Sequence, residues 1–264
     1  MPSPPTVSIV IPCYNEEVNL RNRVLEQVAA YVEGRGYVPE VLIVDDGSVD
    51  GSVPLVESFV ATHPRFRLLR EPHRGKAGAV IAGVKAATGD FVLFCDMDQA
   101  TPASELERLV PFLLDGYDVV IGSRASHRSG APMIRKVMAG GFIALRRLIV
   151  DVGGVGDTQC GFKCFRRTVV QTLCAALQVY RGDLTSARGA TVSAGFDVEL
   201  LYLANRLGCR IAEVPVQWEY VGTLRVDPIR ESWRGLNGLL AIRLNDLRGR
   251  YRGLSLAGKR AALH

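Results

Sequence analysis

The chain has 264 residues, 48% of them hydrophobic, and a formal net charge of +5 at neutral pH. This length allows one large α/β domain or two small ones with a sizeable core. The modest positive charge favours anionic partners such as phosphates, nucleic acid or acidic lipid. The N-terminal apolar run is short and lacks a basic segment before it, and no uncharged apolar stretch is long enough to span a bilayer. The composition therefore argues against a signal peptide and against a membrane span.

The cysteines indicate a reducing compartment. None of the six forms a CxxC pair, and Cys160 and Cys164 have no second Cys or His pair at zinc-finger spacing. Most of them lie inside apolar runs, which is typical of buried free thiols. The sequence therefore predicts a cytoplasmic protein.

Predicted strands and helices alternate along the first half of the chain. Apolar runs predict buried strands over residues 7–12, 41–44, 66–69, 91–94 and 118–121. Helical spacing predicts helices over residues 18–32, 53–61, 74–87 and 104–114. Such alternation predicts an α/β fold with a mostly parallel central sheet and right-handed crossovers.

The second half is less regular. Its predicted elements are an apolar helix with basic pairs (133–150), a loop leading into a short strand (156–163), an exposed polar loop (181–194), a helix (196–206), a strand (210–218) and a basic helical stretch (228–251). We expect one large domain over residues 1–225 and a basic amphipathic tail over residues 226–264.

The fourth predicted strand ends in the sequence Asp96-Met97-Asp98. Two carboxylates one residue apart at the end of a buried strand are tolerable when a divalent cation lies between them, or between one of them and a phosphate. Ligands of open parallel sheets also bind at this edge. The functional interpretation is therefore a Mg²⁺ or Mn²⁺ site that holds a diphosphate. The alternative is an acidic turn in which Asp and Thr cap the helix after Pro102.

Three further residues, Asp45, Asp46 and Lys76, carry a functional and a structural interpretation. Asp45 and Asp46 follow the second strand, where a carboxylate could accept hydrogen bonds from a base or a ribose, or could cap the next helix. Lys76 begins a helix and would suit a phosphate or a hexose hydroxyl, although Arg74-Gly75-Lys76 is not a P-loop and the alternative is a solvated lysine.

A basic cluster follows the fifth strand. Its members are Arg124, Arg128, Arg135 and Lys136, and Lys163 could add to it. Arginines bind phosphate through paired donors, whereas the alternative is a solvated charged face. Nucleic acid is not expected, because the net charge is moderate and no aromatic residues interleave with the basic ones.

Seven motifs occur in order along the chain: IVIPCYNEE, IVDDGSVDGS, RGKAGAV, DMDQATP, VIGSR, DTQCGFKCF and GFDVELLYLA. Together they resemble those of the family-2 inverting glycosyltransferases with a GT-A fold, and most of all the polyprenyl-phosphate hexose synthases of the dolichyl-phosphate beta-glucosyltransferase type. The motifs cover residues 7–220, and their order makes the resemblance specific.

The resemblance implies a role for each matching residue. Those implied to bind the nucleotide sugar are Pro12, Tyr14, Glu16, Asp45, Asp46, Lys76, Asp96, Gln99 and Lys163. Asp96 and Asp98 are implied to hold the metal, and Arg124 and Arg135 the acceptor phosphate. The residues expected to act in catalysis are Asp98, Arg124, Arg135 and Asp197.

The implied reaction moves a hexose, with inversion, from a nucleotide sugar to a polyprenyl phosphate, and UDP-glucose is the expected donor. The alternatives are GDP-mannose or a UDP-N-acetylhexosamine as donor, a hydroxyl acceptor with Asp197 or Glu199 as the general base, and a catalytically silent nucleotide-sugar-binding protein. Members of the family often carry transmembrane helices, which this sequence does not predict.

The basic tail offers a different route to a lipid acceptor. It interleaves apolar residues, among them Trp233, with six arginines between positions 230 and 252. An amphipathic basic helix of this kind can lie in the headgroup plane of the cytoplasmic membrane face. The alternative is packing onto the domain or onto a second copy of the chain, in which case the protein would be a homo-oligomer.

Overall fold

The computed structural model describes residues 5–124, 145, 146, 148–180, 195–219 and 228–256. Within them, seven strands form one sheet: β1 (Val7–Cys13), β2 (Glu40–Asp45), β3 (Phe66–Arg70), β4 (Phe91–Phe94), β5 (Val119–Ser123), β6 (Lys163–Arg166) and β7 (Ile211–Pro215). The strand order is β3-β2-β1-β4-β6-β5-β7. β6 is antiparallel to both of its neighbours, and all other pairs are parallel. The predicted α/β fold with a mostly parallel sheet is confirmed.

The described helices lie on both faces of this sheet. They are α1 (Glu17–Arg21), α2 (Val24–Val32), α3 (Ser52–Val60), α4 (Gly75–Ala86), α5 (Leu106–Leu114), α6 (Arg167–Ala176), α7 (Phe196–Arg206) and α8 (Pro228–Leu247), with a short 3₁₀ helix over Ala103–Glu105. No helix in these ranges is long and apolar enough to cross a bilayer.

The strands are apolar on both faces because helices cover both faces. Side chains of β1 alternate between two cores: Val10 faces a core shared with α4, α6, α7 and α8, whereas Ile9 and Ile11 face one shared with α2, α3 and α5. Helix α4 lies very close to the sheet, because a Cβ at Gly83 would overlap the side chains of Val10 and Val44. This close packing fixes the first turn of α4 at the carboxyl edge of the sheet.

Several predicted elements differ from the structure. The single helix predicted over 18–32 is two helices, because Arg23 has φ of 61° and breaks the helical path. Helix α6 was not predicted, since it follows β6 with no intervening turn residue. The strand predicted over 210–218 ends at Pro215. Of the helix predicted over 133–150, only residues 145, 146 and 148–150 are described, and the loop predicted over 181–194 lies outside the described residues.

The C-terminal helix has two apolar faces. Leu239 and Ile242 are completely buried in the core, and so is Tyr251 shortly after the helix. On the other side, Leu240, Leu244 and Leu247 are exposed, at spacings of four and three residues that put them on one stripe. One face of α8 therefore packs onto the domain, as the alternative for the tail predicted, whereas the other face is exposed.

Candidate active site

The carboxyl ends of β1, β2 and β4 meet at one edge of the sheet, where the strand order reverses on either side of β1. The Asp96-Met97-Asp98 loop follows β4 at this edge. Lys76, in the first turn of α4, places its Nζ 2.5 Å from Asp96 Oδ1. Burial alone would lower the pKa of Lys76, but the charges of Asp96, Asp197 and Asp98 raise it overall. Lys76 is therefore an ammonium ion that partly neutralises this acidic loop.

Asp98, the second aspartate of the acidic loop, is partly buried. Its Oδ1 accepts a hydrogen bond from Ala100 N at 3.0 Å. Burial raises the pKa of Asp98, and the charge of Asp96 raises it further. A nearby cation would stabilise the charged form of such a partly buried carboxylate. The oxygen atoms of this loop are therefore suitable ligands for a divalent metal. In the described part of the chain, no three acidic, His or Cys side chains form a complete metal site, so phosphate oxygens would have to supply further ligands.

Gln99 shapes the loop between the two aspartates and the next helix. Its φ is 48°, in the left-handed region, and its side-chain amide donates to Asp96 O at 2.8 Å. Its Oε1 accepts the Ala103 N–H at 2.9 Å. Gln99 thus takes the capping contact at the 3₁₀ helix, which has no side-chain cap from its N-cap residue Pro102. The interpretation of Asp and Thr as caps here is wrong.

A second charge pair, Lys163–Asp197, lies close enough to the Lys76–Asp96 pair for Asp197 to raise the pKa of Lys76. Lys163, the first residue of β6, is fully buried, and its Nζ lies 2.9 Å from Asp197 Oδ1 and 5.7 Å from the Phe94 ring centroid. Lys163 also donates to Cys160 O. Gly161 in the same turn abuts the Asp96 carboxylate so closely that a Cβ there would collide with it. Counted with Lys76, Asp96 and Asp98, the cluster has two lysines and three aspartates and so a formal net charge of −1.

Arg124 is held by an aspartate that sequence reasoning missed. Its Nε and one terminal nitrogen donate to the two oxygens of Asp157 at 2.8 and 2.7 Å, and its backbone N–H donates to the same carboxylate at 3.0 Å. Burial opposes ionisation of Asp157, but Arg124 lowers its pKa to about 2. Glu213 fixes this loop by accepting the N–H groups of Gly156 and Asp157. The signal was present, because Asp157 opens the motif DTQCGFKCF.

Burial alone would lower the pKa of Arg124, but Asp157 raises it, and the charge of Asp96 in the acidic loop adds to this effect. Its guanidinium also lies 5.7 Å from the Trp218 ring. Of the basic cluster predicted from the sequence, Arg124 and Lys163 are described, whereas Arg128, Arg135 and Lys136 lie outside the described residues. The predicted phosphate contacts of the cluster stay predictions.

The aspartates after β2 make structural contacts. Asp46 accepts the N–H groups of Arg74 and Gly75 at 2.7 and 2.9 Å and so caps α4, and it also contacts His73 Nδ1 at 2.8 Å. Asp45 is buried and accepts the N–H groups of Gly47 and Ser48 at 3.1 and 3.2 Å. Asp46 therefore caps α4 and not α3, the next helix along the chain, for which the sequence had suggested capping. A nucleotide contact by either aspartate stays a prediction.

The loop after β1 lies beside this turn. The Tyr14 ring stacks on the His73 ring with 4.1 Å between centroids and 11° between planes. Glu16 accepts a hydrogen bond from Asn19 Nδ2 at 2.5 Å, and its own N–H donates to Ser52 Oγ at 2.8 Å. Pro12 pairs with Val44 in the β1–β2 register. The predicted nucleotide-binding loop is thus at the same edge of the sheet as the acidic loop.

The sequence analysis named Glu199 as a possible general base, but the structure gives it a different role. It is fully buried, and it accepts hydrogen bonds from the N–H groups of Gln178, Val179 and Tyr180 and from the Tyr251 hydroxyl. All of these contacts hold the protein together. Glu199 is therefore not available as the general base that the hydroxyl-acceptor alternative would require.

The comparisons with known proteins agree with this geometry. The fold, with an acidic loop at the switch point of the sheet, is of the GT-A class. Residues 8–174 match the family described as "Glycosyl transferase family 2", and the chain belongs to that family. It is 31% identical over 262 residues to a dolichyl-phosphate beta-glucosyltransferase of Dictyostelium discoideum, covering 92% of this chain and 75% of that protein. It is 34% identical over 246 residues to the protein of the same name in Drosophila melanogaster, covering 86% and 71%.

Across the relatives of this name, the chain spans about two thirds to three quarters of their length, between 66% and 75% for these and a Trichomonas vaginalis relative. Among solved structures, it is similar to glucosyl-3-phosphoglycerate synthase of Mycobacterium tuberculosis, with a TM-score of 0.64, 23% identity, and coverage of 90% of this chain and 80% of that one. Mannosyl-3-phosphoglycerate synthase of Rubrobacter xylanophilus gives a TM-score of 0.65 at 18% identity, covering 95% and 77%. These two likenesses show the fold.

Proposed function

We propose that the protein is an inverting glycosyltransferase that moves glucose from UDP-glucose to a polyprenyl phosphate. The observation that carries the proposal is the charge cluster at the sheet edge, in which Asp96 and Asp98 lie with Lys76 beside the Lys163–Asp197 pair. A cluster with one net negative charge becomes positive when it holds one divalent cation, and it then attracts a diphosphate. The named activity of the relatives, transfer to dolichyl phosphate, supports the choice of acceptor.

Asp96 and Asp98 are the residues that would hold Mg²⁺ or Mn²⁺. Bound there, the cation supplies electrostatic stabilisation of the charge that develops on the leaving diphosphate. A structural relative solved with Mn²⁺ and uridine diphosphate supports this assignment. Lys76 adds a fixed positive charge to the same side of the donor, and Gly161 leaves room for the Asp96 carboxylate.

The acceptor needs positioning more than deprotonation. A phosphate monoester is already an anion at neutral pH, so one of its oxygens can attack the anomeric carbon while the bond from that carbon to the diphosphate oxygen breaks. Arg124, oriented by Asp157, is the described residue assigned to hold the acceptor phosphate. Since Glu199 is occupied and Asp197 faces Lys163, this site favours an acceptor that requires no general base.

A transfer assay tests the proposal. The protein is incubated with UDP-[¹⁴C]glucose, a short polyprenyl phosphate and Mg²⁺ or Mn²⁺, and radioactivity is measured in the organic phase. We expect glucosyl lipid from the wild type and almost none from Asp98→Asn. GDP-mannose and UDP-N-acetylglucosamine are tested as alternative donors, and a polyprenol without phosphate is tested as the alternative acceptor. Absence of glucosyl lipid with every metal, or equal transfer to the polyprenol, would contradict the proposal.

Peripheral contact with a lipid surface forms the second part of the proposal. The exposed stripe of α8 is apolar, with Leu244 at 49% and Leu247 at 64% exposure. Exposed Arg248, Arg250 and Arg252 follow it, with no acidic residue between 247 and 256. Apolar residues beside arginines complement an anionic headgroup layer, where the acceptor resides.

Sedimentation with vesicles tests this contact. We expect binding to anionic vesicles at low salt, release at high salt, and loss of binding in Leu244→Ser/Leu247→Ser. Leu114→Ser is the matched control, because Leu114 is 61% exposed on α5. Equal binding to neutral and anionic vesicles would contradict the contact with an anionic lipid surface. Dimerisation that disappears with the α8 substitutions would instead assign this face to a second copy of the chain.

A further inference from the structure

Helix α7 carries two acidic side chains in its first turn, and they point in different directions. Asp197 and Glu199 are two residues apart, which places them about 200° apart around the helix axis. Asp197 faces Lys163 of β6, in the charge cluster. Glu199 faces the turn over 178–180 and the segment after α8.

Both carboxylate oxygens of Glu199 accept hydrogen bonds from the protein. Oε1 accepts from Gln178 N at 2.7 Å and from the Tyr251 hydroxyl at 2.7 Å, and Oε2 accepts from Tyr180 N at 3.1 Å. Val179 N lies between the two oxygens, at 3.1 and 3.2 Å. A fully buried carboxylate is tolerated only when donors replace its hydration, and here four donors do so.

The start of α7 is constrained from a third side. The Tyr180 hydroxyl abuts Gly195 and Gly238 so closely that a Cβ at either glycine would collide with it. The Tyr251 ring packs against Tyr202 of α7 with 5.7 Å between centroids. The N-terminal turn of α7 is therefore fastened to the turn before it and to the C-terminal helix.

We propose that Glu199 is a positioning residue for glycosyl transfer: it fixes the first turn of α7 so that Asp197 stays against Lys163, and Tyr251 completes its contacts from the C-terminal segment. This inference rests on the proposed function for its kinetic consequence. Misplacement of a catalytic group by about 1 Å can cost about a hundredfold in rate. The expected signature is a lower kcat with little change in donor binding, because Glu199 touches neither the acidic loop nor the turn capped by Asp46.

The variants Glu199→Gln and Tyr251→Phe test this role. Glu199→Gln exchanges one acceptor oxygen for an amide that opposes the N–H donors. Tyr251→Phe removes the hydrogen bonds of the hydroxyl to Glu199 and Asn245 while keeping the ring. Tyr202→Phe is the control, because the Tyr202 hydroxyl hydrogen-bonds Arg206 and Asp246 and makes no hydrogen bond to Glu199. Each variant is assayed for kcat and KM and for amide hydrogen exchange over residues 178–180 and 195–199.

We expect Glu199→Gln to lower kcat about 10- to 100-fold and Tyr251→Phe about 3- to 10-fold, with KM for UDP-glucose within about twofold of wild type. Exchange over 178–180 should accelerate in both, and Tyr202→Phe should match the wild type. Should Glu199→Gln fail to fold, Tyr251→Phe carries the test. A variant with a lower melting temperature but wild-type kcat would overturn the positioning role.

Failure of the proposed function gives a different pattern. In that case the wild type forms no glucosyl lipid, and hydrogen exchange alone decides the role of Glu199. Acceleration over both 178–180 and 195–199 in Tyr251→Phe would retain the fastening of α7. Unchanged exchange in both segments would overturn it.

Discussion

Replacing Asp157 with Asn should lower the free energy of unfolding by about 2 kcal/mol at pH 7. The magnitude follows from the pKa of Asp157, which falls from 3.8 to about 2 because Arg124 donates two side-chain hydrogen bonds to it. A pKa change of one unit corresponds to about 1.4 kcal/mol of differential stabilisation. Asp157 is buried, so solvent screens this interaction little.

The pH dependence gives the sign of the effect. A carboxyl whose pKa is lowered by folding stabilises the native state above its unfolded pKa, and this contribution disappears as the pH falls through the folded value. The contribution of Asp157 should therefore be complete above about pH 5, and roughly half of it should be lost by pH 3. Urea unfolding of the wild type and Asp157→Asn at pH 7, 5, 4 and 3 measures the difference.

The controls separate the ion pair from a general effect on the fold. Arg124→Gln and the double variant complete a mutant cycle, in which the coupling energy should be about 2 kcal/mol at pH 7 and smaller at pH 3. Asp115→Asn is the surface control, because Asp115 pairs with Arg210 while 71% exposed. A difference between wild type and Asp157→Asn that stays constant from pH 7 to pH 3 would refute the assignment of the low pKa to this pair.

Three further predictions concern the site. Asp98→Asn should lower transfer by at least about two orders of magnitude without loss of the folded state, and excess chelator should abolish wild-type transfer until Mg²⁺ or Mn²⁺ is restored; full activity in chelator contradicts the metal assignment. Arg124→Ala should raise KM for the polyprenyl phosphate while calorimetry shows unchanged affinity for UDP; the reverse pattern would assign Arg124 to the donor. Gly161→Ala should lower activity because its Cβ displaces the Asp96 carboxylate, whereas Gly36→Ala, which meets no atom within 4 Å, should not.

Much of the fold could be predicted because local signals agree with it. Near-continuous apolar runs such as Phe91–Phe94 mark strands that are covered on both faces, and the small residues of Gly75–Ala86 mark a helix that packs closely on the sheet. The break at Arg23 was missed because a left-handed residue between two helices has no reliable sequence signal when it is not glycine. Membership of the family was also predicted from the motifs, and the match over residues 8–174 confirms it.

The site was less predictable because its pairs join distant parts of the chain. Lys76 meets Asp96, Arg124 meets Asp157, and Lys163 meets Asp197, and periodicity carries no information about such pairs. A motif identifies the acidic loop but not which cation lies against it. Glu199 had the same acidic character as Asp197 in the sequence, and only their opposite directions on α7 separate a residue facing the charge cluster from one that fastens the helix.

The reversed direction of β6 has a consequence for altering the enzyme. In a parallel strand, the residues that reach the ligand edge follow the strand, whereas in β6 they precede it, so Asp157, Gly161 and Lys163 arrive from upstream. Within the segment over residues 150–162, Gly161 is constrained by the Asp96 carboxylate of the turn after β4, whereas the exposed Gln159 can be varied without changing the turns that leave β1, β2 and β4. Under the proposed function, Arg124 holds the acceptor phosphate, and Gln159 lies next to its partner through a backbone hydrogen bond to Asp157. Substitutions at Gln159 would therefore test acceptor preference in a stretch of the chain separate from the proposed donor-binding turns.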